Sequence, residues 1–393
     1  MKIYGITGTN GKTTTTWILD AFLGGGGYVT TVEVNTGRRR FSTGYTTPPF
    51  PVLKEIFAEM EDAGCATCVM EVSSHAIHQR RTGGTAFAGG GFTNLTEDHL
   101  DYHKTMEAYF QVKADFFRRL AESAPGAPAA ICVDGEYGRR LAEMCRALPL
   151  RTIECGLSVA GGIGGGVECP DLKDLKDLKD FKDLKDFKDL KDFKDLRDLI
   201  AAKCPLAGRY NVQNVLVAAA LALGAGVPLA DIVAKIPALT PRWGRLERVA
   251  TRSAAEVFVD YAHTDDALAN VLSTVREFTR GKVWAVFGAG GDRDRAKRPL
   301  MGAAAAAHAD RLVVTSDNPR SEDPQSIIDQ IAAGIPDGTD FVTEPDRAAA
   351  IRHALAHATA GDTVVVCGKG HETTQTIGDK TIHFDDRETC ARF

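Results

Sequence analysis

The stretch Gly8-Thr9-Asn10-Gly11-Lys12-Thr13 decides how this chain is read. The apolar run Ile3-Tyr4-Gly5-Ile6 before it reads as a buried strand, and Thr14 to Leu23 after it as the opening turns of a helix. A strand, a glycine loop, a lysine and a hydroxyl leading into a helix have the chemistry of a phosphate cradle. Glycines let backbone N–H groups approach phosphate oxygens, Lys12 supplies a point charge, and Thr13 can hold Mg²⁺. The spacing departs from G-x-x-x-x-G-K-[ST], because the glycines upstream of Gly11 are Gly8 and Gly5. The flanking strand and helix therefore carry the nucleotide-binding reading more than the G-K-T triplet does.

Working outward, 393 residues allow two or three domains, and 44% hydrophobic with 25% charged residues is ordinary for a globular protein. A net charge of -5 argues against a general nucleic-acid binder. No apolar run approaches the ~20 residues of a membrane span, and a strand feeding a loop at the N-terminus does not read as a signal peptide. The 9 cysteines are scattered, which points to a reduced, cytoplasmic protein. Cys65-x-x-Cys68 lacks a second such pair and leads into an apolar strand, so buried small residues are expected there.

The fold expected is α/β: a P-loop-type central domain over 1–240 with a mostly parallel sheet, then a Rossmann-like α/β domain over 241–393. Expected strands include 69–72, 92–95 and 129–133, with helices at 106–120 and 211–223. In the second half, strands are expected at 256–259, 283–287, 311–315 and 363–367, with helices at 267–278 and 324–333. Pro237, Pro241 and the turn around Gly244 read as a linker, and the tracts 24–27 and 161–166 as flexible glycine turns. Residues 171–198 repeat Asp-(Leu/Phe)-(Lys/Arg) with a period of three. On an α-helix such a pattern drifts about 60° per repeat. A charge-balanced, solvated insertion is expected, with a partner-docking segment as the alternative.

Polar clusters stand at strand ends, where an open α/β sheet places its ligands. Glu71 ends one strand and leads into Val72-Ser73-Ser74-His75. Asn94, Glu97, Asp98, His99 and Asp101 follow the next, and Lys113 lies in the helix after it. Glu and His there suit a metal in one pocket with the phosphate loop.

These stretches, with Thr46-Thr47-Pro48 and the run 94–103, resemble the central ATPase domain of the Mur ligases. Gly208-Arg209-Tyr210-Asn211, Asp260-Tyr261-Ala262-His263-Thr264, 288–298 and Gly368-Lys369-Gly370-His371-Glu372 extend the likeness into the second half. Asp317-Asn318-Pro319-Arg320 resembles the motif version that goes with meso-diaminopimelate rather than lysine. The likeness covers nearly the whole chain except residues 157–203, and its nearest branch adds the third residue of the peptidoglycan stem peptide. Three departures stand out. The family's N-terminal domain for the uridine diphosphate is absent from this sequence, the repeat sits where the central sheet usually continues, and Asp265 replaces a frequent proline.

The resemblance implies an ATP-dependent acid–amino-acid ligase that joins meso-diaminopimelate to a UDP-muramoyl-dipeptide through an acyl phosphate. It implies catalytic roles for Lys12, Glu71, His99 and Lys113. ATP would be held by Gly8, Thr9, Asn10, Gly11, Lys12, Thr13 and Thr14, with Asn211 at the adenine, Asp260 at the ribose and Arg245 near the phosphates. Mg²⁺ would sit on Thr13, Glu71, His99 and Lys113, the last as a CO₂-derived carbamate. Thr46, Thr47, Ser73, Gln79 and Arg81 would bind the acceptor. Arg293, Asp317, Asn318, Arg320, Gly368 and Glu372 would bind diaminopimelate, with the planar Arg320 fork suited to its distal carboxylate. A monomer without nucleic-acid or membrane partners is expected. The same chemistry on another muropeptide or glutamate-type acceptor stays open, as do a truncated fragment and a scaffold built on the repeat.

Overall fold

The computed structural model describes residues 1–160, 162–164, 195–240 and 244–393. It divides into two compact units, Met1–Thr96 with Thr105–Thr240, and Glu97–Lys104 with Pro241–Phe393.

In the first unit, the described residues form a nine-stranded sheet. Its strands are β1 (Lys2–Thr7), β2 (Gly27–Val29), β3 (Val34–Asn35), β4 (Arg40–Phe41), β5 (Thr67–Glu71), β6 (Phe87–Phe92), β7 (Pro128–Cys132), β8 (Arg151–Cys155) and β9 (Ile163–Gly164). Their order is β4-β3-β2-β5-β1-β6-β7-β8-β9. The run from β2 to β8 is parallel, while β3, β4 and β9 pair antiparallel at the two edges. Both faces are covered, and strand residues alternate between two cores as the period of two requires. Tyr4, Ile6, Val69 and Ala130 face one core with Ile18, Leu19 and Phe22 of helix Lys12–Phe22 and Val215 to Ala222 of helix Arg209–Gly224. Ile3, Cys68, Met70, Ala129 and Ile131 face the other, under Tyr109, Phe110, Phe117 and Leu120 of helix Met106–Ser123. A Cβ on Gly5 would lie 2.6 Å from Phe116 Cζ, so that helix can sit close only because the strand is bare there.

β1 is flanked by β5 and β6, and the chain runs to one side of it first and to the other later. The crevice at the carboxyl ends of such strands is therefore centred on residues 8–13.

In the second unit, β10 (Glu247–Val249), β11 (Glu256–Asp260), β12 (Val283–Phe287), β13 (Arg311–Thr315), β14 (Phe341–Glu344) and β15 (Thr363–Cys367) have the order β10-β11-β15-β12-β13-β14. All pairs but β10–β11 are parallel. Val257, Val259, Trp284, Val286, Val313, Val364 and Val366 pack with Ala350, Ile351 and Ala354 of helix Arg347–His357. A hairpin, β16 (Thr374–Ile377) and β17 (Lys380–His383), follows.

Several sequence expectations change. The strand expected at 92–95 is 87–92, because Asn94 and Thr96 leave the ladder to hold the phosphate loop. Pro237 is not in a linker but in the 3₁₀ helix Ile236–Ala238, anchored by fully buried Ile236; residues 241–243 lie outside the described residues. Gly27 begins β2, and Ile163-Gly164 forms β9, so parts of both glycine tracts are strand. Most of the repeat also lies outside the described residues. Its last members, Asp195 to Asp198, are not a solvated insertion: Asp195 caps helix Leu196–Lys203, whose Leu196, Leu199 and Ile200 enter the core.

Candidate active site

The phosphate loop is shaped by backbone conformation and by bonds to the end of β6. Gly11 has φ +82°, and a Cβ there would lie 2.2 Å from Asn214 Oδ1. Gly8 has φ +148°, and its Cβ would lie 1.9 Å from Thr93 Oγ1. These two positions need glycine on both counts. Asn94 Oδ1 accepts from Asn10 N at 2.9 Å, and Thr93 Oγ1 donates to Asn10 O at 2.6 Å. Thr9 N donates to Asn94 O at 2.9 Å, and Thr9 Oγ1 lies 3.2 Å from the Tyr109 hydroxyl. Gly11 caps helix Lys12–Phe22 without a side-chain cap bond, and a helix N-terminus suits an anion.

Two ammonium groups meet one carbonyl of this loop. Lys12 Nζ donates to Gly8 O at 3.1 Å and Thr9 O at 2.7 Å, and Lys113 Nζ donates to Gly8 O at 2.8 Å. Lys113 is 1% exposed and stands in the apolar stripe of its helix, with Nζ 4.8 Å from the Tyr109 ring centre.

Glu71, buried at the end of β5, joins the loop to the residues expected at the acceptor. Its Oε1 accepts from Thr13 Oγ1 at 2.7 Å and from Thr31 N at 2.8 Å, and Oε2 accepts from Thr31 Oγ1 at 3.2 Å. Thr31 Oγ1 also lies 3.0 Å from Thr46 Oγ1, and Thr47 Oγ1 donates to Glu71 O at 2.8 Å. Thr47 Oγ1 also accepts from Ser73 N at 3.0 Å, while Ser73 Oγ caps helix Ser74–His78. Arg81 donates to Gln79 Oε1 at 2.8 Å and to Thr47 O at 3.5 Å. Thr13, Glu71, Thr46, Thr47, Ser73, Gln79 and Arg81 therefore form one connected set.

Among the described residues, no group of three or more His, Cys, Asp or Glu forms a ready metal cage. Glu71 and Thr13 instead offer hard oxygen donors 2.7 Å apart beside the phosphate loop. That set fits Mg²⁺, which takes one or two carboxylates and completes its shell with phosphate oxygens and water. His99 belongs to the segment that clusters with the second unit. It has φ +57°, and its own N–H donates to Asp98 Oδ1 at 2.9 Å.

Asn211 is placed by Asn211 Nδ2 donating to Ala207 O at 2.7 Å, and its Oδ1 accepts from Asn214 Nδ2 at 3.2 Å. Asn214 Oδ1 accepts in turn from Thr15 Oγ1 at 3.3 Å, tying the two helices together. In the second unit, buried Asp260 accepts from Leu246 N at 2.6 Å and Ala262 N at 2.8 Å, and burial pushes its carboxyl up. Arg245 lies over the Tyr261 ring at 4.6 Å. Asp98 pairs with buried Lys297 at 3.6 Å; burial alone would raise its carboxyl, but Lys297 and His99 hold it well below the usual range.

The residues expected to bind diaminopimelate gather at the ends of β13 and β15. Asn318 Nδ2 donates to Glu372 Oε2 at 2.9 Å. Lys369 Nζ lies 3.1 Å from the same oxygen and donates to Asn318 Oδ1 at 3.3 Å. A Cβ on Gly368 would lie 2.4 Å from Asp317 Oδ2. Arg320, at φ +52°, is held by hairpin bonds to Thr376 and Gly378, and its Nη1 donates to Gly291 O at 2.6 Å. Arg293 donates to Asp292 O at 2.9 Å on the neighbouring loop. Sequence reasoning missed Thr31, Asn214 and Tyr109. Asn214 had a signal, a second Asn three residues after Asn211 in an alanine-rich helix; Thr31 had none.

Comparison with known proteins bears on the chain as a whole. Residues 6–222 match the Mur ligase middle domain and residues 244–370 the Mur ligase glutamate ligase domain. The UDP-N-acetylmuramoyl-L-alanyl-D-glutamate–2,6-diaminopimelate ligase of Parasynechococcus marenigrum is 42% identical over 99% of this chain and 76% of that protein. The ligase of the same name from Geobacillus thermodenitrificans is 40% identical over 98% of this chain and 77% of its own length. A solved structure of a ligase of that name aligns with a TM-score of 0.55 at 30% identity, covering 99% of this chain and 77% of its own. A Mycobacterium tuberculosis folylpolyglutamate synthase complexed with ADP and AMPPCP shares the fold, with a TM-score of 0.62 at 20% identity over 93% of this chain and 88% of its own. With both domains matched in order and 42% identity along almost its whole length, this chain belongs to the Mur ligase family.

Proposed function

We propose that the chain is an ATP-dependent ligase that forms an amide bond between the D-glutamyl carboxylate of UDP-N-acetylmuramoyl-L-alanyl-D-glutamate and an amine of meso-diaminopimelate. Residues 1–240 serve ATP and the acceptor, and 241–393 the incoming amino acid. The observation that carries the reading is Glu71, which binds Thr13 of the phosphate loop and, through Thr31 and Thr47, the acceptor set. An acceptor carboxylate and a transferable phosphoryl group are thereby offered one site.

The acceptor carboxylate attacks the γ-phosphorus of ATP, giving an acyl phosphate and ADP. The neutral amine of diaminopimelate then adds to the acyl carbon, phosphate leaves, and the amine's proton departs to water or phosphate. Two anions meet in the first step, so positive charge must be concentrated where they approach. Lys12 and the N-terminal amides of its helix supply it from this chain, and Arg81 can steady the acceptor's charge. Thr13 and Glu71 would hold Mg²⁺, with His99 as a further ligand, and the ion would supply charge neutralisation at the phosphoryl oxygens. Lys113 carries the carbamate on this reading, which exchanges a buried cation beside Gly8 for a carboxylate-like group. Asn211, Asp260 and Arg245 serve the nucleotide, and Arg320 pairs with the distal carboxylate of diaminopimelate through its fork.

The test is phosphate release from ATP with the dipeptide acceptor and either meso-diaminopimelate or L-lysine. Release that depends on both the acceptor and diaminopimelate is expected. Release with neither amino acid would refute the assignment.

A further inference from the structure

Helix Arg347–His357 carries two histidines four residues apart, His353 and His357, and neither belongs to the sites described above. Residues at i and i+4 share one face of a helix, with Cβ atoms about 5–6 Å apart. Here the two imidazole rings touch, with centres 4.3 Å apart and planes 30° from parallel. His353 is half-buried and His357 exposed, so the pair opens to solvent.

The hydrogen bonds divide the ring nitrogens. His357 Nδ1 lies 2.8 Å from His353 O, a carbonyl of the same helix. A carbonyl only accepts, so Nδ1 carries the proton and Nε2 keeps its lone pair. An imidazole N–H held by a backbone carbonyl is the arrangement that orients metal-bound histidines. His357 Nε2 and both ring nitrogens of His353 take no hydrogen bond from the described residues. Burial and the neighbouring His357 hold the His353 imidazole below its usual range, although Glu344 at the end of β14 pulls the other way. His353 is thus neutral at pH 7, the form in which imidazole ligates. A positive charge that complements the helix C-terminus would account for one histidine. It does not account for a second ring laid against the first, where two positive charges repel.

We propose that His353 and His357 form a chelating site for a divalent transition ion such as Ni²⁺, Zn²⁺ or Cu²⁺, with water completing the shell. Imidazole nitrogen suits these ions, whereas Mg²⁺ takes oxygen, so the site is chemically distinct from the Thr13–Glu71 oxygen pair. It has two protein ligands, fewer than a closed structural cage. Glu344 faces His353 and offsets part of the ion's charge. The bound ion clips the last turn of the helix to the turn before it, on the element whose Ala350, Ile351 and Ala354 pack against the second sheet. This site stands whether or not the ligase reading does.

The probe is Ni²⁺, titrated by calorimetry into the full chain at about pH 8 with Mg²⁺ in excess, so that the oxygen sites are already occupied. The wild type is expected to take up one Ni²⁺ more than the double variant His353→Gln/His357→Gln. Each single variant is expected to bind that ion about tenfold or more weakly, since losing a ligand costs at least as much as losing the partner that orients it. The difference is expected to shrink toward about pH 5 as the imidazoles take up protons. Equal uptake by wild type and double variant overturns the proposal, and so does a wild type that takes up no Ni²⁺. A loss in His353→Gln with none in His357→Gln shows a lone ligand and overturns the chelate. If the double variant does not fold, His357→Gln at the exposed position decides alone, and unchanged Ni²⁺ affinity overturns it.

Discussion

Replacing Asp386 by alanine should destabilise the second unit more than any surface change, because of what it leaves behind. Arg347 and Asp386 are both fully buried, with side-chain exposures of 0% and 0%. Arg347 Nε and Nη2 each donate to the carboxylate at 2.8 Å, Nη1 donates to Ser316 O at 3.2 Å, and Nη2 also to Cys367 O at 2.9 Å. Removing the carboxylate strands a guanidinium in the core, which typically costs about 3–5 kcal/mol. Asp317 still faces Arg347 and raises its proton affinity, so the lower end, about 3 kcal/mol, is expected. For a unit of this size that is about 6–12 °C in melting temperature. Urea unfolding of the wild type, Asp386→Ala, Arg347→Met and the double Arg347→Met/Asp386→Leu measures it. The double variant should recover part of the loss, since no charge is then left unpaired, while the Ser316 and Cys367 carbonyls still lose a donor. A cost below about 1 kcal/mol for Asp386→Ala would refute the reasoning. It would mean that the guanidinium finds water or another acceptor.

The remaining predictions concern the first site and acid stability. Gly11→Ala should weaken ATP binding at least tenfold by calorimetry, because φ +82° and a Cβ 2.2 Å from Asn214 Oδ1 both oppose it; retained affinity would show that the loop tolerates another shape. Lys113→Ala should abolish turnover, with partial rescue by added short carboxylic acids, whereas unchanged phosphate release would sink the carbamate role. Hydrogen bonding from buried Arg298 holds the Glu322 carboxyl at about 2, down from 4.5. Its folded-state affinity for protons is thus depressed, so its contribution is complete above about pH 4.5 and fades as pH falls toward 2. Glu322→Gln should flatten that stretch of the stability–pH curve, and a curve of unchanged slope would count against it.

How far the sequence discloses this molecule depends on whether a feature is local. The phosphate loop is legible because its strand, glycines and helix lie within a few residues of each other. Glu71 is legible because it ends an apolar run, and strand ends are where α/β sheets collect ligands; Asp317 is legible only through the family resemblance of Asp317-Asn318-Pro319-Arg320. Lys113 is legible only through the family resemblance; by itself it reads as an ordinary lysine on a helix surface, whereas the structure buries it with Tyr109, Phe110, Phe116 and Phe117. Thr31 could not be found this way. It reaches Glu71 only because the three-residue strand β2 pairs with β5, and so short a strand after a glycine run has no readable period. The short strands β3, β4 and β9 fail for the same reason. Arg347 and Asp386 are single charges 39 residues apart, and nothing local says that either is buried.

The two sites also solve different electrostatic problems, and this explains why their residues differ in kind. On the proposed reading the first must bring anions together, and it gathers Lys12 and Lys113 at a glycine-shaped loop that opens helix Lys12–Phe22. Gly8 O there takes both Lys12 and Lys113, an arrangement of like charges that an anionic modification of Lys113 would relieve. On the same reading the second must choose among amino acids that all carry an ammonium and a carboxylate. Attraction alone cannot separate them; matching the sum and placement of charge can. Because the pocket is built from the ends of β13 and β15 and the hairpin, its charge can be altered without touching residues 8–13. A change of amino acid with unchanged phosphate chemistry is then a matter of a few substitutions in the second unit. Arg320→Ala tests that separation directly: diaminopimelate use should fall while ATP affinity does not move, and an equal loss of both would count against it.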